Sequence, residues 1–195
     1  MNDRDDPLTI ACAAIDAGVR IVQYRAKRGI VAHELRELVA LARRRGVLLM
    51  LNDDANAAVQ FDCDGVHLGP DDAGFADVAR VRTELGDRLI GLSCGTLEET
   101  HSAQSLDVDY LGVGPVYATV SKRDAGDPIG IEGLTRIAAA SRFPVAAIGG
   151  IDALNVSAIA RSRVAMAAVI SAIAVPDPAL GARRLVHVWN ETAPR

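Results

Sequence analysis

Short aliphatic runs closed by glycine or polar residues recur along this chain and alternate with helix-like stretches. The runs are GVRIVQYR (18–25), VLLML (47–51), DGVHLG (64–69), RLIGLS (88–93), VDYLGVG (108–114), FPVAAIG (143–149) and VAMAAVI (164–170). They read as strands, and aliphatic strands of this kind suit a parallel sheet covered on both faces. Helices are expected near 7–17, 32–45, 54–61, 73–85, 96–105, 131–141, 152–161 and 176–190. Two starts carry caps. Thr96 and Glu99 form the pattern of a capping box, and Asp152 is placed to cap a helix after Gly149-Gly150-Ile151.

Strands alternating with helices imply parallel pairing through right-handed crossovers. An open doubly wound sheet would gather its ligand residues at one switch point. Here polar residues follow nearly every strand, as they do where all strand ends face one mouth. The expected fold is therefore α/β, a (β/α)8 TIM barrel. The seven strand candidates leave it lacking or truncating the first strand, since MNDRDD has no strand character. One domain over residues 1–195 is expected.

Half of the residues are hydrophobic and 4% aromatic, so the core must be built from Ala, Val, Ile and Leu. The formal net charge of -4 argues against a general nucleic-acid binder. Cys12, Cys63 and Cys94 have no metal-ligand spacing and suit reduced thiols better than a disulfide framework. No signal peptide and no membrane-length apolar run is evident. The expectation is a cytoplasmic protein with neither membrane nor nucleic acid among its partners. A homo-oligomer is left open.

Candidate chemistry lies after the strands. Gln23, Arg25 and Lys27 are spaced by two, which on an extended strand puts two cations and an amide on one face suited to phosphate. Asn52-Asp53-Asp54 and Gly69-Pro70-Asp71-Asp72 place carboxylates at the ends of neighbouring strands, and Mg²⁺ is often held by one or two carboxylates plus substrate phosphate oxygens. Asp54 and Asp71 read as helix caps; for Asp53 and Asp72 capping is the rival role. His67 shares a strand face with Gly69, although a lone strand histidine is more often a hydrogen-bonded core residue. Ser93 offers a hydroxyl at its strand end. The long loop after Gly114-Pro115 carries Thr119, Ser121, Lys122 and Arg123, and long loops in compact domains are often binding loops. Gly149-Gly150 ends one strand and opens a helix, a natural phosphate seat, and Ile170-Ser171 ends the last strand.

Together VQYRAK (22–27), LNDDANAA (51–58), DGVHLGPDD (64–72), IGLSCG (90–95), DYLGVGPVYATVSK (109–122), PVAAIGGI (144–151) and VISAI (169–173) resemble the thiamine-phosphate synthase family along almost the whole chain. The resemblance implies a transferase of thiamine biosynthesis. That family joins 4-amino-2-methyl-5-hydroxymethylpyrimidine diphosphate to 4-methyl-5-(2-phosphonooxyethyl)thiazole, giving thiamine phosphate and pyrophosphate by a dissociative route. Gln23, Tyr24, Arg25, Ala26, Lys27, Asn52, His67, Gly69, Ser93 and Lys122 would then bind the pyrimidine diphosphate. Arg25, Lys27, Ser93 and Lys122 would act on the departing pyrophosphate, and Asp53 and Asp72 would hold Mg²⁺, the implied cofactor. Thr119, Val120, Ser121, Gly150, Ile170 and Ser171 would hold the thiazole phosphate.

The chain departs from the family in three places. Its usual opening strand, of the type LYLVTD, is missing. A Gly-Ala-x-Gly pattern before the last strand is replaced by Arg163-Val164-Ala165-Met166, and Gly95 stands where many members carry a larger polar residue. A thiazole tautomerase-like isomerase, which would need neither Mg²⁺ nor a pyrophosphate cage, and a non-catalytic paralogue are the rival readings.

Overall fold

The computed structural model describes residues 6–26, 29–70, 74–121, 126–162 and 164–193. Helix α1 (Pro7–Asp16) comes first, its amide of Leu8 capped by the Asp6 carboxylate. Then follow β1 (Ile21–Tyr24), α2 (Ala32–Arg45), β2 (Leu48–Asn52), α3 (Ala55–Gln60), β3 (Gly65–Leu68), α4 (Val78–Leu85) and β4 (Leu89–Cys94). The chain continues through α5 (Leu97–Ala103), β5 (Tyr110–Val113), α6 (Gly130–Ala140), β6 (Val145–Ile148), α7 (Val156–Arg161), β7 (Met166–Ala168) and α8 (Pro178–Thr192). Every expected strand is present. The expected capping box at Thr96 and Glu99 is formed at the start of α5.

All seven strands are parallel and follow chain order, β1 to β7. In a flat sheet, six spacings of about 4.8 Å would hold β1 and β7 roughly 29 Å apart. Yet α8 packs on α1 as well as on α7. The sheet is therefore curled, and the helical layer returns to its own beginning. This is an α/β fold with seven parallel strands forming part of a barrel; an eighth strand is not seen among the described residues, and residues 1–5 lie outside them.

Alternation along the strands decides what each face does. Leu49, Leu51, Val66, Leu68, Ile90, Leu92, Leu111, Val113, Val145 and Ala147 are buried against the helical layer. Their partners there include Leu35, Leu38, Val81, Leu85, Leu134, Ile137 and Ile159. The other face carries three staggered layers. Gln23, Met50, Gly65 and Leu89 pair in register across β1 to β4. Asn52, His67, Gly91 and Tyr110 do so across β2 to β5. Ser93, Gly112, Ala146 and Met166 do so across β4 to β7. In each layer a glycine makes room for a large neighbour.

The N-terminal ends of the strands are pinned by carboxylates. Asp64 accepts the Leu49 amide at 2.7 Å, and Asp109 accepts the Ile90 amide at 2.8 Å. Arg82 ties this end together, donating to Asp109 at 2.7 Å and to the carbonyls of Gly86 and Arg88 at 2.9 and 2.6 Å. Such groups serve stability, because barrel chemistry belongs to the opposite end of the strands.

The three cysteines are free, with Cys12 exposed and Cys63 and Cys94 buried. Burial pushes the Cys63 thiol up to about 11 and the Cys94 thiol up to about 12. Because the thiolate is the reactive form, an alkylating reagent at mildly basic pH is expected to label Cys12 in the folded protein and the other two only after denaturation. Mass spectrometry showing native labelling of Cys63 or Cys94 would contradict this packing.

Candidate active site

The polar groups singled out in the sequence converge on the C-terminal ends of the strands, though not all by the geometry expected. Strand β1 ends at Tyr24, so the spacing-by-two argument holds inside the strand for Gln23 alone. Gln23 lies on the inner face and is exposed; Arg25 and Ala26 follow the strand and are half-buried. Tyr24 turns the other way, its hydroxyl donating to Glu34 of α2 at 3.2 Å. Its side chain is therefore part of the wall between sheet and helix. Lys27 lies outside the described residues.

At the end of β2, Asn52 shares the inner face and pairs in register with His67. Asp54 is the cap of α3, accepting the Ala57 amide at 2.9 Å. Capping is thus accounted for without Asp53, which sits between the two with φ of 70°. Its amide donates to the His67 carbonyl at 2.9 Å, fixing the turn to the adjacent strand. A left-handed non-glycine residue costs backbone energy and is found preferentially at functional sites. Asp53 is exposed beside the strand end. Asp72, its expected companion, lies outside the described residues, while Gly69 is half-buried just beyond β3.

The inner face of β3, β4 and β5 holds a hydrogen-bonded chain. His67 Nδ1 lies 3.0 Å from the Tyr110 hydroxyl, and Nε2 lies 3.1 Å from Ser93 Oγ. Burial pushes the Tyr110 phenol up to about 12, against a smaller opposing effect of the Gln23 side chain. Tyr110 therefore stays a neutral hydroxyl across the physiological range. His67, expected from sequence alone to be a hydrogen-bonded core residue if not a ligand, is hydrogen-bonded and half-buried. Tyr110 was not among the expected site residues. In VDYLGVG it reads as one more core side chain; the signal that could have found it is Gly91, which pairs with it on the inner face.

A second group of residues surrounds a recess of about 490 Å³ lined by Thr119, Val120, Gly150, Ile151, Asp152, Ser171 and their alanine neighbours. It is built by two loops in close contact. The Val116 and Tyr117 amides donate to the Ile148 and Gly149 carbonyls at 2.9 and 3.0 Å. A Cβ on Gly149 would lie 2.6 Å from Pro115 Cα, and one on Gly150 would lie 2.5 Å from the Ala118 carbonyl oxygen. Both glycines also have positive φ, 101° and 63°. Thr119 Oγ1 accepts the Ser121 amide at 3.2 Å, and Val120 is 97% exposed at the rim.

The expected helix start differs here. Asp152 accepts the amides of Leu154 and Asn155 in a turn, at 2.8 and 3.2 Å. Asn155 bonds back to the Gly150 carbonyl at 2.9 Å, and α7 begins only at Val156. Asp152 thus stabilises the turn ahead of the helix, and Gly149-Gly150 does not open it. Likewise β7 stops at Ala168, and the Ile170 carbonyl closes a turn with the amides of Ile173 and Ala174 before α8. The residues that line the recess belong to loops. Lys122 and Arg123 lie outside the described residues.

Fold and site together define an α/β protein with a curled, partial β/α barrel whose inner face and C-terminal loops carry polar groups. A model of the thiamine monophosphate synthase family matches residues 1–173. A thiamine-phosphate synthase of Chloroflexus aurantiacus is 41% identical over 93% of this chain and 86% of its own length. One of Archaeoglobus fulgidus is 43% identical over 92% of this chain and 85% of its own length. The solved thiamine phosphate pyrophosphorylase of Pyrococcus furiosus superposes with a TM-score of 0.87 at 31% identity, covering 97% of this chain and 92% of that one. The chain belongs to the thiamine monophosphate synthase family.

Proposed function

We propose that the protein is a thiamine-phosphate synthase that condenses the pyrimidine diphosphate with the thiazole phosphate and releases pyrophosphate. What supports the reading above all is identity of about two residues in five to synthases over nearly the whole chain. The site adds a chemical reason. A dissociative reaction needs charge stabilisation at the leaving group and an aligned second substrate, with no protein nucleophile.

Arg25 and Ser93, with Lys27 and Lys122, would bind the diphosphate and stabilise charge as it develops on the leaving oxygen. Asn52 would donate to the same group. Gln23, Tyr24, Ala26, His67 and Gly69 would form the pocket for the pyrimidine ring, Tyr24 through its backbone. The recess lined by Thr119, Val120, Gly150 and Ser171, together with the adjoining Ser121 and Ile170, would hold the thiazole phosphate.

The donor set fits Mg²⁺. No group of three His, Cys, Asp or Glu able to hold a metal occurs among the described residues. An ion bound by one or two carboxylates and completed by substrate oxygens needs no such group. Asp53, held in its strained turn, would be one ligand and Asp72 the other; bound there, Mg²⁺ would neutralise charge on the departing pyrophosphate.

No helix among the described residues is long and apolar enough to cross a membrane. We read the chain as one domain, a (β/α)8-type barrel whose first strand is not among the described residues, acting in the cytoplasm on small phosphorylated substrates. Incubating the protein with both substrates and Mg²⁺ should release pyrophosphate continuously. Thiazole aromatisation without pyrophosphate would instead support a tautomerase, and no release from folded protein would sink the synthase reading.

A further inference from the structure

The hydrogen-bonded chain on the inner face has a direction. The Tyr110 phenol is neutral and half-buried, and its hydrogen needs an acceptor. His67 Nδ1, at 3.0 Å, is in place to take it. An imidazole that accepts at Nδ1 carries its hydrogen on Nε2 when neutral. Nε2 faces Ser93 Oγ at 3.1 Å. A hydroxyl that accepts there keeps its own hydrogen to donate outward. The opposite tautomer would make Ser93 spend that hydrogen on Nε2.

We propose that Tyr110 is a positioning residue: its hydroxyl holds His67 in the Nε2–H form, so that the Ser93 hydroxyl is left as a donor toward the departing pyrophosphate. The role of Ser93 rests on the function proposed above; the tautomer of His67 does not. The surroundings are shaped for this contact. A Cβ on Gly91 would lie 2.2 Å from Tyr110 Cζ and 2.5 Å from His67 Nδ1, and one on Gly112 would lie 2.8 Å from His67 Cε1. Glycine on both strands admits the two rings, whose centroids are 5.5 Å apart. The three partners come from three neighbouring strands, β3, β4 and β5, so the sheet assembles the chain of bonds.

Two readouts test it on the full chain. In the protein labelled with ¹⁵N-histidine, the His67 signals are identified by their loss in His67→Asn. Wild type should show Nε2 protonated and Nδ1 bare, and Tyr110→Phe, which keeps the ring, should lose that preference. In turnover, Tyr110→Phe should lower kcat about tenfold with little change in KM, short of the roughly 10²-fold loss expected when the anion-facing donor itself goes in Ser93→Ala. Against the Ser93→Ala background, Tyr110→Phe should cost less than about twofold, because the two act through one bond. An Nδ1–H tautomer in wild type, or equal losses in both backgrounds, would overturn the proposal. If wild type released no pyrophosphate, the synthase reading would fall while the tautomer still decided the role of Tyr110.

Discussion

Asp53→Ala is expected to lower turnover by roughly 10²–10³-fold, the scale of losing one preorganised stabiliser of a developing negative charge. Part of the activity should return in excess Mg²⁺, since the remaining ligand and the substrate oxygens could still bind the ion weakly. Asp53→Gly makes the result interpretable. Glycine accepts the φ of 70° without strain, so that variant removes the carboxylate alone. Alanine at this φ costs about 1–2 kcal/mol as well. Both variants should be equally inactive in a steady-state assay across a Mg²⁺ titration, while the alanine variant melts below the glycine variant. Full activity in Asp53→Gly would remove Asp53 from the metal site.

Gly65→Ala is expected to give a large loss of stability. A Cβ there would stand 2.2 Å from the Leu89 carbonyl oxygen, 2.8 Å from its carbon and 2.7 Å from Met50 Cε. The Met50 side chain can swing away. The backbone of β4 cannot, because Leu89 pairs in register with Gly65 and its amide donates to the Asp64 carbonyl at 2.9 Å. Overpacking of this kind costs typically 1–3 kcal/mol, and a backbone collision puts it at about 3 kcal/mol or more. Gly95→Ala is the control. Its Cβ would meet only the Gly114 carbonyl at 3.5 Å and Glu99 at 3.6 Å, ordinary contact distances. Urea midpoints for the two variants should separate clearly; an unshifted midpoint for Gly65→Ala would contradict the register of β3 with β4.

What could be read in the sequence follows from how far apart the determining residues lie. Aliphatic runs such as VLLML report on the buried outer face of a strand, a local property, and all seven strands were legible. The Thr96 and Glu99 cap was legible for the same reason, since both halves lie within one turn. The start of α7 was not. Asn155 competes with Asp152 by bonding the Gly150 carbonyl, and that choice is made by the packing of two loops against each other. Tyr110 escaped because its meaning depends on register. Only when Gly91 is known to pair with both His67 and Tyr110 does the glycine become a space for two rings. That Gln23, Asn52, His67 and Ser93 lie on the inner face was legible because each falls in the last two residues of its strand. Lys27, Asp72 and Lys122 fall outside the described residues, and their roles stand on the family resemblance.

The central claim is that one mouth holds two phosphorylated substrates and joins them. The most direct test is the product balance in a reaction of purified protein with both substrates and Mg²⁺, with thiamine phosphate and pyrophosphate quantified together. Equal amounts of the two, and neither when either substrate is withheld, are predicted. Pyrophosphate without thiamine phosphate, or neither product from folded protein, would contradict it.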